Sequence, residues 1–105
     1  MWMFLRAVKE FRAIVNARGE RLRRLSIDEL VDLSGMPIEN VTVQSRSATI
    51  GIILEPQPNG SMRVVVQGFM NARFLLGASV ALDGFYKHPD GTVSPMPDRE
   101  FYWYD

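Results

Sequence analysis

The chain has no cysteine and only one histidine among its 105 residues. The first absence excludes disulfides, thiolate chemistry and cysteine-ligated zinc. The second leaves one imidazole and scattered carboxylates, which form no recognisable metal-ligand spacing. Neither a metal nor a cofactor is expected. No apolar run approaches the ~20 residues needed to cross a bilayer. Met1–Leu5 is apolar, but Arg6 stops it and no basic region precedes it, so it does not read as a secretory signal. Net charge is absent too, which argues against nucleic acid as the partner. Glycine-rich phosphate loops are missing: Gly77, Gly84 and Gly91 lie between or within strand-like runs and make no nucleotide fingerprint. These absences together predict a soluble, cytoplasmic protein without a membrane partner.

What remains is an ordinary globular composition, 47% apolar and 23% charged, so a disordered chain is disfavoured. The length predicts a single domain over residues 1–105. A chain of this size buries roughly two thirds of its unfolded surface. Charge is unevenly spread. Residues 1–25 carry seven basic and two acidic side chains, while residues 26–105 carry five and ten. Such asymmetry signals either a nucleic-acid surface or two halves that attract each other.

Residues 2–17 read as a helix. Phe4, Ala7, Val8, Phe11, Ile14 and Val15 share one stripe at helical spacing. Trp2 and Leu5 fall on the polar side, and Gly19 reads as a stop signal. A second, short helix begins at Ser26. Ser26-Ile27-Asp28-Glu29 is a capping box, flanked by Leu25 and Leu30 at staple positions. Ile27, Leu30 and Leu33 would face the core, with Gly35 and Pro37 ending the helix near Ser34.

From Asn40 onward the period becomes two. Val41 and Val43 alternate with Thr42 and Gln44. The run Ala48–Leu54 is β-branched and strand-like. Pro56, Pro58 and Asn59-Gly60 turn the chain. Met62, Val64 and Val66 then share one face, and Arg63, Val65 and Gln67 the other. Phe74-Leu75-Leu76 fits a strand, a loop plug or a helical turn. Residues 78–87 form the next strand, and His88-Pro89-Asp90-Gly91 is a hairpin signal. Val93 begins the return, and Phe101–Tyr104 reads as a last short strand. The expected fold is α+β: two N-terminal helices packed on one face of a curved antiparallel β-meander of about five strands.

Val64–Met70 is echoed sixteen residues later by Val80–Tyr86, each an apolar run, a polar residue, then Gly-Phe. The paired Gly68 and Gly84 suggest matching bulges, which would swing Phe69 and Phe85 onto the face of Val66 and Leu82 and line a pocket or partner surface; against that stands the plainer reading that the two glycines simply shape the sheet around a core.

Three functional readings follow. The first is a non-catalytic protein-interaction domain, binding a partner or its own copy; an accessory role such as toxin immunity fits it. Its candidate contacts are Trp2, Tyr102, Trp103 and Tyr104, with Phe69 and Phe85 as weaker ones, because aromatics dominate interface hot spots. The second is a small-ligand or minor enzymatic pocket in a cone-shaped sheet, with Asp83, Tyr86 and His88 as its polar groups. The third is weak nucleic-acid binding through Arg18, Arg21, Arg23 and Arg24. Against it stands a solvated segment whose arginines pair with Asp28, Glu29 and Asp32. No catalytic set emerges, since Asp90 is explained by turn chemistry and no Ser or Cys is spaced to partner His88.

Overall fold

The computed structural model describes residues 2–35, 38–71 and 78–105. Helix α1 spans Trp2–Arg23 and α2 spans Ile27–Asp32. Five strands follow: β1 Glu39–Val43, β2 Arg46–Pro56, β3 Met62–Asn71, β4 Ala78–Lys87 and β5 Val93–Pro95. They form one antiparallel sheet in sequence order, with β1 and β5 at its edges. A short helix, α3, spans Asp98–Phe101. The α+β meander expected from the sequence is therefore present. No helix among the described residues is long and apolar enough to cross a membrane. Pro37 and the Phe74-Leu75-Leu76 stretch lie outside the described residues.

The stripe on α1 packs as its spacing predicts: Ala7, Phe11 and Val15 are wholly buried, with Phe4, Val8 and Ile14 packed against them. The helix does not stop at Gly19. It runs on to Arg23, and buried Leu22 extends the stripe by seven residues from Val15. A helical glycine costs about 1 kcal/mol relative to alanine. Here it admits the sheet, because a Cβ on Gly19 would sit 1.7 Å from Oδ2 of Asp83. Three alternate residues of β4 then hold the last turn of α1. Asp83 accepts both arms of the Arg23 guanidinium at 2.7 and 2.9 Å. That guanidinium lies 4.7 Å from the centre of the Phe85 ring. Lys87 donates to the Arg23 carbonyl at 2.9 Å, satisfying one of the helix's orphan acceptors.

The capping box of α2 forms as read: the Ser26 hydroxyl accepts from the Glu29 N–H and the Glu29 carboxylate accepts from the Ser26 N–H, both at 3.1 Å. Leu30 enters the core. Gly35 takes the left-handed conformation, φ +85°.

The expected bulges are absent. Gly68 pairs with Ile50 and Ala81, and Gly84 with Val65, with no residue skipped in either ladder. Both glycines instead mark close approaches from opposite sides. A Cβ on Gly68 would lie 2.6 Å from Phe11 and 2.9 Å from Val15 of α1. One on Gly84 would lie 2.7 Å from the Met96 methyl group. Regular alternation keeps Phe69 and Phe85 on opposite faces. Phe85 is buried beneath α1, whereas Phe69 is 41% exposed on the other side.

Two hairpins at the same end of the sheet use one turn design. Gln57-Pro58-Asn59-Gly60-Ser61 joins β2 to β3, and His88-Pro89-Asp90-Gly91-Thr92 joins β4 to β5. In each, the first residue's N–H donates to the fifth residue's carbonyl, at 2.8 and 2.9 Å. The fifth N–H donates to the Asn59 or Asp90 side chain. Both glycines have positive φ, +87° and +91°. The β1–β2 turn carries no such signal. Gln44 and Ser45 both adopt positive φ, +48° and +68°, as a type I′ hairpin requires. Gln44 also donates to Glu10 of α1 at 2.8 Å.

The end of the chain departs from expectation. Phe101–Tyr104 is not a strand but α3 and the turn after it. Prolines 95 and 97 stop β5 after three residues. The chain then folds back across the sheet face that α1 leaves open, bringing Met96 and Phe101 over Gly84.

Candidate functional site

The site with the most assembled chemistry lies on that second face. Register places Glu55, Arg63, Tyr86 and Ser94 in one cross-strand row over β2 to β5. Arg63 is its centre. It donates to Glu55 Oε2 at 3.0 Å and to the Tyr86 hydroxyl at 3.3 Å, and lies 3.7 Å from Glu100. The C-terminal residues close over this row. The Trp103 ring stands 5.0 Å from the Arg63 guanidinium and the Tyr104 ring 5.9 Å, within range of cation–π attraction. Tyr104 donates its hydroxyl to Glu55, Tyr86 donates to Glu100, and Gln67 donates to the Tyr104 carbonyl.

The electrostatics follow from these contacts. The Tyr104 hydroxyl and then Arg63 hold the Glu55 carboxyl below its ordinary range. Burial, then the bond to Glu55, pushes the Tyr104 phenol up to about 12. Burial and the Glu100 carboxylate raise Tyr86 as well. Glu55 holds the Arg63 guanidinium charged more firmly than usual. Each phenol donates to a carboxylate and each carboxylate faces a cation. That arrangement is a latch that locks the C-terminal segment to the sheet.

Tyr102 is 79% exposed, and Trp103, whose ring also meets Arg63, keeps 62% of its surface exposed. Tyr104, grouped with them from the sequence, is half-buried and committed to Glu55. Phe85, under α1, is out of any partner's reach, while Phe69 stands open on the second face. Trp2 begins α1, and its side chain lies outside the described residues. A groove of about 290 Å³ runs beside the same segment, between Arg12 and Asn16 of α1, Val80 and Leu82 of β4, and Phe101 and Asp105. Strand β5 pairs only with Phe85–Lys87, so among the described residues the rest of this edge of β4 has no partner strand along the groove.

Asp83, Tyr86 and His88 do not converge. Asp83 faces α1 and is taken by Arg23, whereas Tyr86 belongs to the latch on the opposite face. His88 sits between the twin turns: its Nδ1 is 2.8 Å from the Ser61 hydroxyl and its Nε2 is 2.6 Å from Ser94. Spacing does not point to Ser61, because the two turns meet only in space, and Ser94 reaches the ring from β5, six residues on. Ser61 is buried, so this Ser–His contact ties two hairpins rather than presenting a nucleophile. Asp90 is held below its ordinary range by the Thr92 hydroxyl and N–H, as turn chemistry requires. Among the described residues, no three metal-ligating side chains are placed to share an ion.

The basic segment is the last turn and a half of α1 and the residue after it, not a free loop. Arg18 makes a two-pronged contact with Glu39 at 3.0 and 2.7 Å, and Arg23 makes the same contact with Asp83. The Arg18 fork holds Glu39 below the ordinary carboxylate range. Their main partners are thus strand carboxylates rather than Asp28, Glu29 or Asp32. Arg21 and Arg24 are exposed. Comparison with protein-family models, curated proteins and solved structures finds no match to this chain.

Proposed function

We propose that the protein is a non-catalytic interaction module that docks another protein through its C-terminal segment. The observation carrying this reading is the pair Tyr102 and Trp103, 79% and 62% exposed on a segment whose neighbours are locked to the sheet. Exposed aromatics on a rigid backing lose little conformational freedom on binding, which is why Trp and Tyr dominate hot spots. Among the described residues no strand pairs with the β4 edge beside Phe101 and Asp105, and an extended segment of the partner can add there as a strand. The test compares the wild type with a Tyr102→Ala/Trp103→Ala variant in capture from host extract and in light scattering over a dilution series. A partner held by the wild type and lost by the folded variant supports the reading. Equal capture by both, or concentration-dependent self-association as the only binding event, overturns it.

A further inference from the structure

α1 crosses β3 and β4, and Leu33, just after α2, stands with Leu22 of α1 beside the helix-side face of β2. Between them lies a cavity of about 350 Å³, within the roughly 300–1,000 Å³ range of small-molecule sites. Its apolar walls are Leu22 of α1, Leu25 just beyond it, Leu33 after α2, and Ile50 and Leu54 of β2. At its mouth Ile52 is 37% exposed. Among the described residues no aromatic side chain lines it, so it suits a flexible aliphatic chain rather than a stacked ring.

The charged lining residues are Arg18, Arg21 and Glu39. Arg18 and Glu39 neutralise each other through their two-pronged contact. Arg21 is left as the surplus cation, close enough to Glu39 for its charge to favour that carboxylate. We propose that this cavity binds one small aliphatic monoanion, a medium-chain carboxylate, with its tail among the leucines and isoleucines and its head on Arg21. The tail is held by burial of apolar surface. The head is held by a charge-assisted contact that a neutral head group cannot make.

Calorimetric titration with octanoate and with 1-octanol tests this. The wild type should bind one octanoate per chain saturably and 1-octanol about tenfold more weakly, the factor expected of one charged hydrogen bond. Arg21→Gln should weaken octanoate about tenfold and leave 1-octanol unchanged. Ile52→Glu places a like charge at the exposed mouth and should abolish octanoate binding without unfolding the chain, as circular dichroism would check. No saturable octanoate binding to the wild type overturns the proposal. So does equal octanoate affinity in wild type and Arg21→Gln, or unimpaired binding to folded Ile52→Glu. The cavity lies across the sheet from Tyr102 and Trp103, so its failure and the failure of the docking reading are separate results.

Discussion

Gly68 and Gly84 occupy matching places in two similar strand segments, yet the same substitution should affect them differently. At Gly68 an added methyl meets the ring of Phe11 and a methyl of Val15, both wholly buried. A close-packed core absorbs such an insertion only by shifting side chains or backbone. Gly68→Ala should therefore cost about 1–3 kcal/mol, read as a lower urea midpoint with an unchanged slope. At Gly84 the obstruction is the end of Met96, an unbranched thioether that can rotate away. Gly84→Ala should cost clearly less, and equal losses at both glycines would refute this account of the echo. The shared Gly-Phe pattern reflects a shared need for close approach, by α1 from one side and by the C-terminal segment from the other.

Among the elements, the hairpins differ in how well their sequences suit them. The two Pro-Asx-Gly turns place glycine where φ is positive. The β1–β2 turn places Gln44 and Ser45 there instead. A left-handed non-glycine residue costs roughly 1–2 kcal/mol, partly offset in a glycine variant by the freer unfolded chain. Ser45→Gly should therefore stabilise the fold by about 0.5–1 kcal/mol, a rise of a few degrees in the thermal midpoint. An unchanged or lowered midpoint would show that the turn is unstrained. Gln44 is the poorer site for this change because its side chain is spent on Glu10. That bond ties the hairpin to α1, a benefit that turn propensities alone do not register.

For the whole molecule, the charge asymmetry resolves into attraction between halves: arginines of α1 fork onto Glu39 and Asp83 of the sheet. The C-terminal layer on the other face is held differently, by phenols bonded to carboxylates around Arg63. Tyr86 and Tyr104 keep their protons more tightly when folded than the ordinary tyrosine value of 10.0. Their contribution is complete below that value and is lost as pH rises through the raised folded values, which for Tyr104 lies at about 12. Stability should therefore fall between those limits, and absorbance at 295 nm should show delayed tyrosinate formation for two of the three tyrosines. Tyr104→Phe should remove the step at about pH 12. If the native protein instead ionised all its tyrosines near pH 10, the latch would not hold as described.

Local chemistry determined much of this protein before any contact was considered. The stripe on α1, the capping box at Ser26, the Pro-Asx-Gly turns and the two faces of β3 each depend on residues a few positions apart. Backbone sterics and hydrogen bonding act at that range, so these features are legible in the sequence. Tertiary structure decided the rest. Gly19 looked like a helix stop because its reason, the approach of Asp83, lies far along the chain. Phe101–Tyr104 looked like a strand because aromatic residues suit strands and small cores alike, and only the hydrogen-bonded row around Arg63 selects the folded-back path. Arg18 and Arg23 had acidic residues nearer in sequence than the strand carboxylates they chose. The aliphatic cavity was equally hidden, since it exists where α1 fails to cover β2. Each of these depends on which distant groups meet, and a contact between elements leaves no periodic mark in either of them.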